Sequence, residues 1–254
     1  MLSFEALLAY CHKHKVRYII PTRDGELLFF AQHKKLLAQH DIFVFVCESE
    51  AITLCYDKLK FYQEGDKGWC IPTSQDPHAL DTKRYVIKER FGGGADNIAL
   101  DVTKEELEGY AQNLNEAIYQ PYIQGKEYSI DSYVDMQGKC RASLVRSRDK
   151  VIDGESKITT VATKQDLAKR IANFVEKFSI LGHSVTQVIE DQEGKYHLIE
   201  CNTRFGGAST LSYELGLKSF LWFFQECHSK ALDVNISSKK LTQVRVQKDL
   251  YFES

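Results

Sequence analysis

The sequence predicts an α/β segment in the amino-terminal quarter of the chain and an α+β region over the remainder. In the first quarter, helix-type and strand-type segments alternate as αβαβα, an order that favours parallel strands joined by helical crossovers. Further along, strand-type segments flank turns at Gly138 and Gly194, a pattern typical of antiparallel hairpins. The composition, 43% hydrophobic and 27% charged over 254 residues, is that of a globular chain with a substantial core.

Hydrophobic periodicity and turn residues define the elements of the first quarter. Ser3 is a candidate N-cap for the first helix, and Pro21 ends the first strand. A boundary between two structural units is expected near residues 54–58, before a loop at 65–77 that is rich in glycine and proline. The predicted elements are helices at 3–14, 26–39 and 50–62 and strands at 16–20 and 42–46.

Strands and helices are mixed in the rest of the chain. Thr103 and Glu106 have the spacing of a capping box, which predicts a helix as far as Ala117. Thr163 is a candidate cap for an amphipathic helix that ends near Phe178. The other predicted elements are strands at 84–88, 127–135, 140–148, 185–190 and 196–202 and a last helix at 209–229.

Charge, hydropathy and cysteine usage exclude several classes of protein. The formal net charge of -2 argues against a broadly basic surface for nucleic acid. No apolar run approaches ~20 residues, so no membrane-spanning helix is expected. The seven scattered cysteines form no CxxC pair, which favours reduced thiols and a cytoplasmic location. The sequence has no GxSxG or HExxH motif, so esterase and zinc-protease activities are disfavoured.

The strongest candidate site consists of Gln187, Glu200 and Asn202. Glu200 and Asn202 are two residues apart on one predicted strand and therefore share a face. With a four-residue hairpin loop at 192–195, Gln187 lies directly opposite Glu200, so that three oxygen-bearing side chains converge. Oxygen ligands of low total charge suit Mg²⁺ that is shared with phosphate oxygens. The alternative is a solvated polar strand face, which the apolar neighbouring residues disfavour.

Arginines accompany this candidate metal site. Arg204 continues the same strand face if the strand extends past Asn202, and there it would stabilise charge on a transferring phosphoryl group; a structural ion pair is the alternative. Gly206 and Gly207 allow the chain to turn sharply after it. Arg146 and Arg148 share a strand face that suits the capture of a carboxylate or phosphate, with a solvated face as the alternative.

A lysine and a glycine run form a second candidate site. Lys88 lies at the end of a predicted strand, and Gly92, Gly93 and Gly94 follow it. The lysine supplies a cation, and the glycines let backbone N–H groups approach phosphate oxygens. An ordinary flexible turn is the alternative for the glycines.

The segment from Gln120 to Glu127 is the third candidate site. Backbone groups near Tyr122 and Ile123 are candidates for pairing with an adenine edge, and the Glu127 carboxylate for accepting hydrogen bonds from ribose hydroxyls. Pro121 makes a connecting segment the expected structure, and a plain connector without a ligand is the alternative.

Taken together, these segments resemble the ATP-grasp superfamily, most closely its carbamoyl-phosphate-synthase large-chain type, over residues 17–217. The motif that follows Leu198 is the most specific part of the match. The segments that carry the resemblance are Tyr18-Ile19-Ile20-Pro21-Thr22-Arg23-Asp24-Gly25-Glu26-Leu27, Asp57-Lys58, Tyr85-Val86-Ile87-Lys88 with the glycine run, Gln120 to Asp131, Gln187, and Leu198-Ile199-Glu200-Cys201-Asn202-Thr203-Arg204-Phe205-Gly206-Gly207.

The resemblance implies an ATP-grasp fold, in which two α+β subdomains clamp a nucleotide, preceded by a short, truncated Rossmann-like α/β domain. It implies ATP together with Mg²⁺ or Mn²⁺. The implied reaction is that of a ligase: a substrate carboxylate attacks the γ-phosphate to give an acylphosphate and ADP, and an amine or ammonia then displaces phosphate. The partners are therefore small-molecule carboxylates and amines rather than nucleic acid or membrane.

The resemblance also implies a role for each candidate residue. The implied roles are magnesium binding for Gln187, Glu200 and Asn202, phosphate binding for Lys58, Lys88, Gly92, Gly93 and Gly94, adenine binding for Gln120, Tyr122 and Ile123, ribose binding for Glu127, and charge stabilisation during catalysis for Arg204. From charge sign, Asp24 and Glu26 are expected to attract a cationic amine, and Arg146 and Arg148 a substrate carboxylate.

The predicted domains are 1–57 for the short first domain, 58–231 for the ATP-grasp domain and 232–254 for a tail, with the ATP-grasp domain divided into 58–119 and 120–231. Relatives have a longer first domain, which normally supplies part of the acceptor site. This leaves two alternatives to a complete ligase: a catalytically weak ATP-binding module, and a subunit whose acceptor site is completed by another chain. The assemblies to consider are therefore a homo-oligomer and a complex with a partner chain. Gln187 stands where many relatives have a carboxylate, which removes one negative charge.

Overall fold

The computed structural model describes residues 3–92, 97–246, 248 and 251 of the chain. Its strands form a two-stranded, a three-stranded and a six-stranded sheet. A short 3₁₀ turn spans Pro77–Ala79.

The first unit alternates helices and strands in the order that the sequence predicts. It consists of α1 (Phe4–Lys13), β1 (Tyr18–Ile19), α2 (Asp24–Ala38), β2 (Phe43–Val44) and α3 (Ser49–Tyr56). The Ser3 Oγ atom caps α1 by accepting a hydrogen bond from the Ala6 N–H at 3.2 Å. Strands β1 and β2 pair in parallel, which confirms the predicted αβαβα order. Because each strand has two residues, the pair does not establish a Rossmann-like domain, and that assignment stays a prediction.

The single helix predicted for residues 50–62 is divided into two. Helix α3 ends at Tyr56, and α4 (Lys58–Glu64) begins after Asp57, whose backbone is extended with φ -92° and ψ 101°. The Asp57 Oδ1 atom accepts hydrogen bonds from the N–H groups of Leu59 and Lys60 at 3.1 and 3.2 Å. Asp57 is therefore the N-cap of α4, and the position of Lys58 follows from this cap.

The three-stranded sheet has the order β4-β3-β5, with β3 (Tyr85–Glu89), β4 (Ala99–Val102) and β5 (Ala117–Pro121). The predicted helix from Thr103 to Ala117 is wrong, because only α5 (Leu107–Ala111) is helical. The Thr103 N–H donates to the Glu106 Oε2 atom at 2.7 Å, so half of the capping box forms. The chain must then return to pair β5 with β3, which ends the helix early.

The six-stranded sheet is antiparallel throughout and has the strand order β10-β9-β6-β7-β8-β11. Both predicted hairpins are present, as β6 with β7 and as β9 with β10. Strands β8 and β11 were not predicted. The bounds are β6 (Gly125–Val134), β7 (Cys140–Ile152), β8 (Glu155–Val161), β9 (Gly182–Asp191), β10 (Tyr196–Asn202) and β11 (Thr242–Val244).

The two faces of this sheet have different environments. On one face, α6 (Gln165–Lys177) buries Leu167, Ile171 and Phe174 in the main core. Side chains of α2 and α3 belong to the same core, so the first unit packs against this sheet. Helix α6 follows Lys164 rather than the predicted cap Thr163 and has no side-chain cap. The opposite face carries the polar side chains of the candidate site.

The predicted last helix at 209–229 is also divided, into α7 (Thr210–Glu214) and α8 (Ser219–Cys227). The interruption lies at Gly216, whose φ is +108° and whose Cβ, if present, would lie 2.0 Å from the Asn235 carbonyl oxygen. The chain after α8 thus passes so close to Gly216 that only glycine fits there. None of the helices in the described part of the chain is long and apolar enough to span a membrane.

Candidate functional site

A cleft of about 760 Å³ lies between the three-stranded and six-stranded sheets. The three-stranded sheet contributes Val86, Lys88 and Gln120 to its lining, and the six-stranded sheet contributes the polar face opposite α6. The predicted site residues that line it are Lys58, Lys88, Gly92, Gln120, Tyr122, Ile123, Glu127, Arg146, Arg148, Gln187, Glu200, Asn202 and Arg204. One cleft therefore brings together residues that are far apart in the sequence.

The side chains of Gln187, Glu200 and Asn202 converge within this cleft. The Glu200 Oε1 atom accepts hydrogen bonds from the Gln187 Nε2 and Asn202 Nδ2 atoms, each at 3.0 Å. All three residues are partly buried. A half-turn of either amide would present its oxygen in place of its N–H group, so the trio can supply three oxygen ligands to one cation.

A β-bulge sets the pairing of this trio. Tyr196 pairs with Glu190, a register that would place Ile199 opposite Gln187 if it continued. The register shifts between Leu198 and Glu200, and Glu200 becomes the partner of Gln187. The predicted pairing is thus correct, but it is produced by an extra residue, Ile199, rather than by regular pairing from the loop.

The chemistry of the trio fits magnesium better than a transition metal. In the described part of the chain, no group of three or more His, Cys, Asp or Glu side chains is placed to hold a metal. The trio has one carboxylate and two amides, so the remaining ligands and most of the compensating charge must come from water or a substrate. This is the usual condition of Mg²⁺ at phosphate-binding sites.

Lys88 faces the trio from the three-stranded sheet. Its side chain is 7% exposed, and its Nζ atom has no hydrogen-bond or ion-pair partner within residues 3–92 and 97–246. Burial lowers the pKa of Lys88 from 10.5 to about 8, against the opposing effect of the Glu200 and Glu127 carboxylates and with the help of Lys58. A buried ammonium group without a partner is costly, so this position favours an anionic ligand.

Lys58 joins α4 to the beginning of the glycine run. Its Nζ atom donates to the carbonyl oxygens of Gly92 and Arg90, at 2.6 and 3.5 Å. Burial lowers the pKa of Lys58, and the nearby Glu200 and Asp24 carboxylates oppose this effect. Gly92 has φ +99°, a conformation that favours glycine.

The Asp57 carboxylate, which caps α4, also holds the Arg90 guanidinium through two hydrogen bonds, of 2.8 and 2.6 Å. The segment next to the glycine run is therefore fixed on its Arg90 side. The other two predicted phosphate-loop residues, Gly93 and Gly94, lie outside the described residues.

The predicted adenine segment lies at the mouth of the cleft. The Gln120 Nε2 atom donates to the Thr73 Oγ1 atom at 2.8 Å, and the Tyr122 N–H donates to the Arg84 carbonyl oxygen at 2.9 Å. The bond to Thr73 thus fixes the Gln120 side chain, and the segment containing Ile123 forms the edge between the two sheets. Residues 117–121 form strand β5, so the expected connector begins only after Pro121.

The predicted arginines differ in their partners. Strand β10 ends at Asn202, so Arg204 follows the strand and does not extend it as predicted. Its Nε and Nη2 atoms donate to the two Asp24 carboxylate oxygens at 2.8 and 2.6 Å, which links the segment after β10 to α2. The Arg148 Nε atom donates to the Glu127 Oε2 atom at 2.9 Å. Glu26 is exposed, 4.0 Å from the Arg23 Nε atom, and does not line the cleft. Of the two acids predicted to attract an amine, neither lines the cleft, and only Asp24 contacts a cleft residue, Arg204.

Arg146 is held by a buried network that the sequence did not reveal. Its Nε atom donates to the Asp131 Oδ2 atom at 2.7 Å, and Ser209 and Ser212 also donate to the Asp131 carboxylate. Burial alone would raise the pKa of Asp131, but Arg146 and His183 hold it below its usual range. The sequence signal for this network was that residues 127, 129 and 131 alternate along one strand and therefore share a face.

A second residue that the sequence did not reveal is Arg245. It lines the cleft from the segment after β11 and belongs to no recognisable motif.

Comparison with known proteins gives a family for the chain. Residues 113–249, more than half of the 254, match the family described as ATP-grasp in the biosynthetic pathway with Ter operon. A comparison with curated proteins finds no match.

The biotin carboxylase domain of 2-oxoglutarate carboxylase from Hydrogenobacter thermophilus, in complex with MgADP, ADP and bicarbonate, is similar in structure at 16% identity and a TM-score of 0.77. The match covers 92% of this chain and 58% of that one. N5-carboxyaminoimidazole synthetase from Staphylococcus aureus, complexed with ADP, has 17% identity and a TM-score of 0.75, over 95% and 68% of the two chains. L-amino acid ligase from Bacillus licheniformis has 16% identity and a TM-score of 0.62, over 82% and 54%.

At these identities the three similarities concern the fold alone. The chain spans 58% of the length of the carboxylase domain that it matches, so the activity of the longer protein does not transfer with the fold. The family match rests on the sequence itself and includes the strands that carry Gln187, Glu200 and Asn202. The chain has the ATP-grasp fold and belongs to the family of ATP-grasp proteins in the biosynthetic pathway with the Ter operon.

Proposed function

We propose that the chain is a Mg-ATP-dependent ligase that activates a carboxylate as an acylphosphate for attack by an amine or ammonia. The observation that supports this most is the convergence of Gln187, Glu200 and Asn202 in a cleft opposite the buried Lys88. An oxygen-ligand trio and a buried cation that has no partner among the described residues, on the two sides of one cleft, fit a polyphosphate chain with its divalent ion.

The proposed nucleotide site extends from the edge between the sheets towards the trio. Tyr122 and Ile123 would border the adenine, with Gln120 held in place by Thr73, and Glu127 would accept hydrogen bonds from ribose. The Glu127 side chain is 41% exposed and shares only one of its oxygens with Arg148, so the other is available.

The proposed phosphate site consists of the two lysines and the glycine run. Lys88 would contact the phosphates directly. Lys58 would exchange its bond to the Gly92 carbonyl for a phosphate oxygen, which would couple nucleotide binding to movement of the loop. Gly93 and Gly94 are included in this proposal on their sequence pattern.

Mg²⁺ bound by Gln187, Glu200 and Asn202 would neutralise the phosphate oxygens. The protein needs no nucleophile of its own, because phosphoryl transfer depends mainly on positioning and on compensation of charge. Arg204 would stabilise charge on the transferring group, and its bond to Asp24 fixes its guanidinium beside the trio. Closure of the glycine loop over the bound nucleotide would exclude water, which would otherwise hydrolyse the acylphosphate.

The domain boundaries remain part of the proposal. The break at Asp57 supports a boundary between 1–57 and 58–231, and the two sheets suit a division near residue 120. The tail, 232–254, contributes β11 to the six-stranded sheet, so it would be an integral part of the metal-site subdomain. A cytoplasmic location is proposed on the cysteine pattern alone.

The nature of the substrates is suggested by the similar structures. One was solved with bicarbonate and MgADP, and another is an L-amino acid ligase. Carboxylates and amino acids are therefore the first compounds to test. We expect ADP formation to need one carboxylate, with an amine or ammonia required for the second step.

ADP release in the presence of MgATP and a panel of carboxylates, with and without ammonia or amino acids, tests the proposal. MgATP at ~100 times its Kd should stabilise the fold by about 2.7 kcal/mol, which a melting curve detects. Stabilisation without any stimulated ADP release would support a catalytically weak module instead. Analytical sizing, followed by the same assay on any complex that forms, would identify a site completed by another chain.

A further inference from the structure

Arg245 reaches the cleft from the segment that follows β11. Its backbone N–H donates to the Lys157 carbonyl oxygen at 2.9 Å, which continues the pairing of β11 with β8. Its Nη1 atom donates to the Glu155 Oε2 atom at 3.1 Å. The guanidinium lines the cleft, although the strand that carries it is at the far edge of the six-stranded sheet.

Gly207 provides the surface against which this guanidinium lies. A Cβ atom on Gly207 would be 3.0 Å from Nη1, 3.1 Å from Nη2 and 3.2 Å from Cζ of Arg245. Three nearly equal distances mean that the planar group lies flat on the glycine backbone. A side chain at this position would displace the guanidinium by a few tenths of an ångström, so glycine suits this close approach.

Arg146 lies on the other side of the same glycine turn. The Ser209 hydroxyl joins the two, because it accepts from the Gly206 N–H at 3.1 Å and donates to the Asp131 carboxylate that holds Arg146. Arg146 is 3% exposed, and its Nη1 atom has no hydrogen-bond partner among the described residues. A buried guanidinium donor without a partner, in the wall of a cleft, needs an acceptor that the protein does not supply.

The two arginines are separate from the trio. Arg146 pairs with Ser129, and Ser129 pairs with Gln187, so two strand spacings lie between Arg146 and the nearest member of the trio. At ~4.8 Å for each spacing this is roughly 10 Å between backbones. An anion held by Arg146 and Arg245 is therefore a different group from the phosphates and the reacting carboxylate at the trio.

We propose that Arg245 and Arg146 bind a second carboxylate of the substrate, so that the compound activated by this protein is a dicarboxylate or an acidic amino acid. The proposal rests on the proposed ligase function for the reacting end of the substrate. Glu155 and Asp131 orient the two guanidinium groups, and within the described residues each arginine has at least one nitrogen without an acceptor. Arg148 is less suited to this role because each of its three side-chain nitrogens already donates to a protein oxygen, of Glu127, Ser129 or Gly154.

The first test measures turnover. Hydroxylamine traps an acylphosphate as a hydroxamate, so carboxylate activation can be followed without the natural amine. Succinate, glutarate, aspartate and glutamate are compared with acetate, propionate and alanine, in the wild type, in Arg245→Gln and in Lys240→Gln. Lys240 is an exposed lysine of the same tail, so it controls for the loss of one positive charge.

Wild type should activate at least one dicarboxylate with a kcat/KM ten or more times that of the monocarboxylates. Arg245→Gln should raise KM for that compound by about 10- to 100-fold, the usual effect of losing a charge-assisted hydrogen bond. Lys240→Gln should not change it, and Arg245→Lys should restore part of the loss. Equal use of mono- and dicarboxylates, or equal effects of Arg245→Gln and Lys240→Gln, would overturn the proposal.

The second test measures binding and separates the two proposals. Melting temperatures are recorded with MgADP and with succinate, glutarate or acetate at equal ionic strength. A dicarboxylate shift in the wild type that Arg245→Gln abolishes supports the anion site even if no hydroxamate forms, in which case the ligase proposal alone fails. No larger shift with dicarboxylates than with acetate, while MgADP still stabilises the protein, would reject the anion site alone.

Discussion

Raising the pH from about 6.5 to about 9.5 should weaken the binding of MgADP by roughly 30-fold, because Lys88 loses its proton in this range. Burial places the pKa of Lys88 at about 8 in the ligand-free protein. If only the ammonium form binds phosphate, affinity is constant well below this pH and falls about tenfold for each pH unit above it.

Isothermal titration of the protein with MgADP at constant ionic strength measures this dependence. Lys88→Met should bind MgADP weakly at neutral pH and should lose the decline above pH 8. Lys83→Met, which removes an exposed lysine just before β3, should behave like the wild type. A wild-type affinity that stays flat between these pH values, or a Lys88→Met variant with an unchanged affinity, would refute the placement of Lys88 against the phosphates.

The lowered pKa of Lys88 also predicts that stability depends on pH, with a sign opposite to that of MgADP binding. Because its pKa is lower in the folded protein than the unfolded value of 10.5, the unfolded chain binds more protons between about pH 8 and 10.5. Below pH 8, the charged Lys88 therefore lowers the free energy of unfolding of the ligand-free protein by its full amount. This loss disappears as the pH rises to 10.5. At neutral pH, Lys88→Met should raise the free energy of unfolding by up to about 3 kcal/mol in urea titrations, whereas Lys83→Met should leave it unchanged.

Two further substitutions address the trio and the division of the last helix. Glu200→Ala should reduce ADP formation at least about 100-fold while the protein stays folded. Glu193→Ala, in the exposed loop of the same hairpin, should retain full turnover. Normal turnover of the Glu200 variant would show that the carboxylate is not a metal ligand. In urea titrations, Gly216→Ala should lower the free energy of unfolding by several kcal/mol more than Gly194→Ala does. Both glycines have a positive φ, but only at Gly216 would the new methyl group meet a backbone oxygen, that of Asn235. Equal losses in the two glycine variants would mean that the chain after α8 is not packed there.

The sequence was informative wherever a pattern had a local physical cause. Glu200 and Asn202 had to share a strand face, and Gly194 required a turn before them, so their convergence with Gln187 was predictable. The pairing of Gln187 with Glu200 was predicted correctly, but on the assumption of regular pairing from the hairpin loop. The extra residue Ile199 compensates for pairing that starts at Tyr196 and Glu190, and nothing in the residue types indicates such a bulge.

One missed strand did have a local signal. Asp153 and Gly154 have φ values of 50° and 72°, the left-handed pair that a tight hairpin turn requires, and this dipeptide is a strong hairpin signal. It predicts the turn between β7 and β8. The polar composition of β8 obscured the strand that follows, because Lys157 and Thr159 resemble loop residues when considered alone.

Other features depend on contacts between distant segments and were not predictable. The break at Gly216 is caused by Asn235, and the early end of α5 is caused by the pairing of β5 with β3. Arg245 reaches the cleft only because β11 adds to the edge of the six-stranded sheet. The pairing of Arg204 with Asp24 likewise joins residues that are 180 positions apart, so the sequence shows the charge of both but not their contact.

The proposed activity depends most on a divalent ion held jointly by the trio and a nucleotide. The most direct test is the titration of ADP into wild type and Glu200→Ala, each with and without Mg²⁺, as a thermodynamic cycle. Mg²⁺ should tighten ADP binding by the wild type at least about tenfold, and this coupling should vanish in Glu200→Ala. Equal ADP affinity with and without Mg²⁺ in the wild type, or the same Mg²⁺ effect in both proteins, would contradict the assignment of the site.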